Sequence, residues 1–393
     1  MTSYRSILAR PVVVAVAAAL ALTACGQSGG DNSTGAEAKG GGTYEFGVMV
    51  PLTGPASAIG ENFRRGVDLA VSQINAAGGA GGMQLKPVYQ DHLGTAQGGA
   101  AAANKLINLQ KLPYVLSSFS SVTLAVAPVA ARSKVLVINN GGTDDALLNL
   151  PFVYNNQMMN RSLLPPLLEY MKKGATTAAL LTSDDAYGTS GRETYKDTWS
   201  ELGGEIVADE VFSATGTDVS SQLKKIKAAN PDVLFTMAIG ESFGLVAKQA
   251  RAAGITAQIA GPLAVEALIK VGGKAAEGVT DAGIAVDPDA KSPAARTYLD
   301  AYQSAHGEMP DWVSCTMHES VFLLQGLIEA VKKTGGDTKS GADLQKALEA
   351  NPSFPNRCAD GDITFRDDHS VRAAVAIRKV ANGKFVTQEI VVP

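Results

Sequence analysis

From residue 43 onward, short apolar runs alternate with amphipathic stretches of helical period, and this beat restricts the chain more than any other feature. A strand is predicted over 44–50 and a helix over 62–77, in which Phe63, Val67, Ala70, Val71 and Ile74 share one face. The glycine-rich run 78–82 stops that helix. Strands over 84–89, 114–118 and 135–139 then interleave with helices over 96–109 and 122–131. Successive units of this kind fold as a parallel sheet covered by helices. After an Asn- and Met-rich stretch at 152–160 the beat restarts with helix 162–172 and strand 177–181, so a second sheet is expected. It continues through helix 189–202, strand 205–211, helix 219–229 with Asp218 as its cap, strand 233–239, helix 242–253 and strand 258–260. Past a Pro-containing segment at 287–293 come helices over 294–306, 313–333 and 342–350, then strands over 362–365, 373–380 and 384–392. No short-period repeat of the solenoid kind is present.

Composition narrows the function classes. With 46% hydrophobic and 18% charged residues the chain is globular, which excludes disordered and fibrous classes. Lys and Arg number 34 against 38 Asp and Glu, and no basic block exceeds a pair, so nucleic acid is not an expected partner. Only 3 Cys and 4 His leave little material for zinc or iron–sulfur ligation, and neither a metal nor a cofactor is expected.

The first residues read as targeting rather than fold. Arg5 and Arg10 precede an apolar run at 11–22 that is too short for a permanent membrane helix and has the layout of an export signal. It ends in Leu22-Thr23-Ala24-Cys25, which resembles the lipobox of bacterial lipoproteins; an ordinary cleaved signal with a chance Cys is the alternative. The expected plan is a signal peptide over 1–24, then a lipidated Cys25 with a Gly/Ser/Asn-rich tether over 25–42. Such a coil spans about 20–25 Å. The body would then lie outside the cytoplasm, held to the membrane through the lipid alone. There Cys315 and Cys358 form an even count that permits one disulfide, although two buried free thiols fit equally well.

Several residues could carry chemistry. Gly240-Glu241-Ser242-Phe243-Gly244 is a G-x-S-x-G between a predicted strand and a predicted helix, the setting of a nucleophile elbow. Asp281 or Asp287, followed by His306, His318 or His369, would complete a serine-hydrolase order. The competing explanation is a tight turn in which Gly240 and Gly244 permit the geometry and Ser242 or Glu241 caps the helix. No HGGG-type segment precedes it, which argues against hydrolysis. Cys315 and His318 share a helical face but lack a second ligand pair. No dinucleotide or P-loop fingerprint occurs. Two strand-end loops look instead like a binding site: Phe119-Ser120-Ser121 opens a helix, and Asn139-Asn140-Gly141-Gly142-Thr143 follows the next strand. Their hydroxyl and N–H groups could grip a carboxylate without a positive charge.

At this point the chain resembles the branched-chain amino acid (leucine/isoleucine/valine) binding family of ABC importers, over about 44–392. The carriers are Gly47-Val48-Met49-Val50-Pro51-Leu52-Thr53-Gly54-Pro55, Gln73-Ile74-Asn75-Ala76-Ala77-Gly78-Gly79, Asp185-Ala186-Tyr187-Gly188, Asp218-Val219-Ser220-Ser221-Gln222-Leu223 and Gln249-Ala250-Arg251-Ala252-Ala253-Gly254. The resemblance implies a type I periplasmic binding fold: two doubly wound α/β lobes joined by three crossovers, near 155–160, 286–292 and 354–356. Lobe one would comprise 43–157 with 290–355, and lobe two 158–289 with 356–393. It implies a monomeric, non-enzymatic solute-binding protein that delivers a small carboxylate or amino acid to permease subunits; a ligand-sensing receptor subunit is a further reading. By position, Ser120, Ser121, Gly141, Gly142 and Thr143 fall where the family holds the ligand carboxylate, and Tyr187 lines the second lobe. Other positions depart from the family. Leu263 replaces its acidic residue after Gly261-Pro262, Ile59 and Ile239 replace aromatics, and His318 replaces a common Tyr. A ligand ammonium therefore needs Glu241 or Glu266, or the ligand lacks one.

Overall fold

A computed structural model describes residues 41–391. The stretch read as an export signal, Cys25 and most of the stretch read as a tether lie outside the described residues. The first strand, β1 (Gly41–Val50), starts two residues inside the stretch read as tether, where Gly41 pairs with Met83.

Chain order gives α1 (Ser57–Ala76), β2 (Met83–Asp91), α2 (Ala96–Ala103, extended by a π-wound turn through Leu109), β3 (Tyr114–Ser117), α3 (Ser120–Ser133), β4 (Leu136–Asn139) and β5 (Val153–Asn155). These strands form one parallel sheet in the order β2-β1-β3-β4-β5. Side-chain alternation along β1 divides the core. Tyr44, Phe46, Val48 and Val50 pack on one face with Phe63 and Val67 of α1, while Met49 faces Leu106, Val122 and Val126 on the other.

The second sheet repeats the plan. It is built from α4 (Asn160–Lys172), β6 (Thr177–Ser183), α5 (Ala186–Glu201), β7 (Glu205–Phe212), α6 (Ser220–Ala229), β8 (Val233–Met237), α7 (Glu241–Ala252), β9 (Gln258–Pro262), α8 (Glu266–Gly272) and β10 (Thr280–Ile284). Three helices follow: α9 (Pro293–His306), α10 (Trp312–Thr334) and α11 (Gly341–Ala350). A small hairpin, β11 (Ser353–Pro355) with β12 (Asp362–Thr364), precedes β13 (Val375–Ala381) and β14 (Lys384–Val391). The seven-stranded order is β14-β13-β10-β9-β8-β6-β7, parallel from β10 to β7, with β13 antiparallel to both β10 and β14. Read from β7 to β10 it has the same order as the first sheet, with an antiparallel pair added. Both are doubly wound, and in such sheets ligands bind beyond the carboxyl ends of the strands where the order reverses.

Some expectations need correcting. The sequence reading leaves 261–286 without elements, yet α8 and β10 occupy it; it also leaves β5 and β11 unassigned. Strand β10 escapes detection because Asp281 interrupts its apolar run. That fully buried carboxylate is paired with Arg378 of β13 at 2.6 Å and accepts the Ala264 N–H. It is therefore a structural ion pair, not a catalytic acid. Asp218 is not the cap of α6 either: Val219 holds that position, and the Asp218 carboxylate accepts from Ser220 N.

The connecting segments meet around α10. Cys315 of α10 is bonded to Cys358, just beyond β11. One turn on, the buried Glu319 accepts the Arg357 N–H at 2.8 Å through Oε1 and Asn156 Nδ2 at 3.3 Å through Oε2. Burial pushes this carboxyl up to about 7 despite those bonds. Asn156 also donates to Ser320 Oγ, and Ser320 and Thr316 in turn donate to the side-chain and main-chain oxygens of Asn140. The first and third inter-sheet segments are thereby tied to the loop after β4.

Candidate functional site

The polar part of the first-lobe wall is made by the loops after β3 and β4, with Pro55, Ala56, Leu93 and Gly94 of the loops after β1 and β2 beside it. Phe119 precedes α3 with φ 64° and provides no side-chain cap, so the first N–H groups of that helix stay without an intrahelical partner. Ser120 Oγ accepts two backbone N–H groups, from Thr143 at 3.0 Å and Asp144 at 3.2 Å. With both acceptor positions used, its own proton is left to donate elsewhere. Asn139 fixes the turn beside it. Its Oδ1 accepts Gly142 N at 2.7 Å and Gly141 N at 3.3 Å, and its Nδ2 donates to Gly142 O and Asn155 Oδ1. Gly142 is required by close approach, since a Cβ there would lie 2.9 Å from Ser120 N.

The second-lobe wall is made by the loops after β6, β7 and β8. Asp185 caps α5: its Oδ1 accepts Gly188 N at 2.9 Å and the Ser183 hydroxyl at 2.7 Å. Tyr187 follows, 7% exposed, and its hydroxyl has no hydrogen-bond partner among the described residues. Burial, and secondarily the Asp185 charge, raise its pKa, so it stays protonated. Gly240 precedes α7 at φ 58°, ψ −126°, a conformation that essentially only glycine adopts. A Cβ there would meet Ile59 Cδ1 of the opposite lobe at 2.7 Å.

Between these walls lies a cavity of about 110 Å³, lined at the carboxyl ends of the strands by residues of both lobes. Phe119, Phe212, Met237, Ile239 and Leu93 supply apolar surface. Among the described residues no Lys, Arg or His lines it, and Asp185 is its one carboxylate.

Of the residues singled out by sequence, Ser120, Gly141, Tyr187 and Ile239 line this cavity. Ser121, Gly142 and Thr143 belong to the same two loops without lining it; Thr143 Oγ1 is buried and without a partner. Glu241 opens α7 beside Ser242, which does line the cavity. Leu263 is fully buried at φ 59°, its N–H bonded to Ala282 O, and it packs into the main apolar cluster. His318 lies within α10, its ring tilted 40° against that of Tyr298 and bonded to Gln73 at 2.7 Å, and burial pushes its pKa well below the ordinary imidazole value. Glu266 opens α8 and does not line the cavity. A hydrolytic triad does not assemble around Ser242: no histidine shares the cavity, and His369 bonds to the carbonyl oxygens of Leu150 and Val153. Sequence reasoning names the Phe119 loop but misses Asp185, Ser183, Phe212 and Met237. Asp185 opens the Asp185–Gly188 motif, but its capping role alone accounts for an Asp at that place.

Comparison with known proteins agrees with this arrangement. The profile described as periplasmic binding protein matches residues 43–384, and the chain belongs to that family. A Leu/Ile/Val-binding protein homolog of Brucella abortus is 27% identical over 353 residues, covering 86% of this chain and 91% of that protein. Among solved structures, a leucine-binding protein of Thermotoga maritima superposes with a TM-score of 0.81 at 21% identity, over 89% of this chain and 99% of its own. An ABC-transporter solute-binding protein of R. palustris, solved with benzoate, superposes at 0.80 and 22% identity, over 89% and 97%. The fold is thus the two-lobed type I periplasmic binding fold, in a family of binding proteins.

Proposed function

We propose that this protein is the extracytoplasmic solute-binding component of an ABC importer, which captures a small carboxylate-bearing solute between its lobes and delivers it to a permease. The observation that carries this reading is Ser120. Its hydroxyl is compelled to donate, beside the uncapped N-terminus of α3, at the carboxyl edge of the sheet, and that combination favours an acceptor carrying negative charge. Two similar proteins, a leucine-binding protein and one solved with benzoate, take small carboxylates. An export signal ending at Cys25 supports location outside the cytoplasm with a lipid anchor, and the Cys315–Cys358 disulfide agrees with an oxidising compartment. We place the lobe borders near 157, 290 and 355, where the chain passes between the sheets.

A thermal-shift screen of the chain against amino acids, aromatic and aliphatic carboxylates and small amides tests the reading. Tight binding raises the melting temperature by mass action, and carboxylates are expected to be the responding class. A response confined to uncharged compounds would refute it.

A further inference from the structure

The cavity has a polarity that the carboxylate reading leaves unused. Its first-lobe wall offers donors: the Ser120 hydroxyl proton and the leading N–H groups of α3. Its second-lobe wall offers acceptors. Asp185 commits Oδ1 to Ser183 and Gly188, while Oδ2 has no hydrogen-bond partner among the described residues. Ser183 spends its proton on that same carboxylate, so only its lone pairs remain. Next to them the buried Tyr187 hydroxyl waits without a partner. Phe119, Phe212, Met237 and Ile239 separate the two poles with apolar surface.

A ligand bearing a carboxylate alone would set a second negative charge against Asp185 in a cavity that no cation lines among the described residues, and like charges so placed repel. A ligand that also carries a donor removes the conflict, because the donor pairs with Oδ2 while the carboxylate keeps to Ser120. Resting on the carboxylate reading above, we infer that Asp185 reads a hydrogen-bond donor on the solute, which is an apolar carboxylate substituted with an ammonium or hydroxyl group. The pole that discriminates among ligands is then on α5, at a residue that also serves as its cap.

Calorimetric titration of the whole chain with matched pairs tests this. The pairs are leucine with 4-methylpentanoate, 4-hydroxybenzoate with benzoate, and 3-phenyllactate with 3-phenylpropanoate, each differing by one donor. In at least one pair the donor-bearing member is expected to bind tenfold or more tightly, and Asp185→Asn should shrink that preference below threefold. Asn caps a helix about as well as Asp, so the empty variant should melt close to the parent. A preference in the leucine pair identifies an ammonium, and one in either other pair a hydroxyl. Carboxylates that bind without regard to the donor, or a preference that survives Asp185→Asn, overturn the assignment while sparing the carboxylate reading. Binding by none of the six compounds overturns both. The comparison on the unaltered chain stands even if the variant fails to fold.

Discussion

The two walls of the cleft are built to different degrees of completion. On the first-lobe side Asn139 satisfies the Gly141–Gly142 turn, Ser120 satisfies the two N–H groups that follow it, and Asn140 is held from behind by Thr316 and Ser320. On the second-lobe side the hydroxyls of Thr182 and Tyr187 are buried without partners, and Gly240 sits in a conformation closed to other residues. Buried polar atoms are seldom left unmade without a reason. The contrast teaches that the turns of the first wall are tied down by the protein while its donors, the Ser120 proton, the Thr143 hydroxyl and the leading N–H groups of α3, are left for a ligand, whereas the second wall leaves the Tyr187 hydroxyl and a strained glycine turn. A ligand closes such a cleft only through contacts that improve on closing, and the unpartnered groups of the two walls are where improvement remains to be made.

Substitutions can break or sharpen this contrast. Asn139→Ala should have the largest effect, because it orphans several buried groups at once; we expect about 4 kcal/mol of stability lost in urea denaturation, with binding lost alongside. A loss below about 1 kcal/mol would show that the first wall is not prebuilt. Next is Glu319, behind the same wall. Its carboxyl titrates at about 7 in the folded protein, above the unfolded value, so its contribution is present below about pH 4.5 and is lost as pH rises through about 7. Unfolding free energy should fall by roughly 3 kcal/mol across that window, and Glu319→Gln should flatten the slope. Gly240→Ala should cost about 2 kcal/mol through its backbone, seen as a lower melting temperature. Since the new Cβ presses on Ile59 across the cleft, affinity should drop as well. The smallest effect on stability is expected for Tyr187→Phe, within about 0.5 kcal/mol because the hydroxyl has nothing to lose in the empty protein. Its signature is in binding, where roughly tenfold weaker affinity corresponds to about 1.4 kcal/mol. Unchanged affinity would mean that the hydroxyl is not finished by ligand.

How far the sequence discloses this molecule depends on how local each signal is. Strand and helix periodicity locate most elements within a few residues, because each buries a face against its own sheet. Strand β10 is hidden, since Asp281 acquires its partner Arg378 from a strand 97 residues away, and no local pattern announces that pair. The first-lobe wall is readable for a similar reason in reverse: Ser120, Gly141 and Thr143 lie in strand-end loops whose composition is unusual by itself. On the second lobe, Phe212 and Met237 look like the ends of ordinary buried strands, and Asp185 looks like an ordinary cap. Only the meeting of three loops makes them a wall. The Cys315–Cys358 bond was one of two open alternatives, decided by the approach of α10 to the segment beyond β11.

The interleaving of the chain also dictates an order of assembly. Helix α1 packs against α10 so closely that Gly66 has the Ser314 carbonyl where a side chain would be, and Tyr114 of β3 donates to the Ser320 carbonyl 206 residues later. The first sheet, though synthesised first, cannot finish its core until nearly the whole polypeptide has emerged. Contacts of such long reach form slowly, because the loop must close before the contact rewards it. A chain of this topology stays unfinished while its leading end is already being handled, which fits the export proposed above.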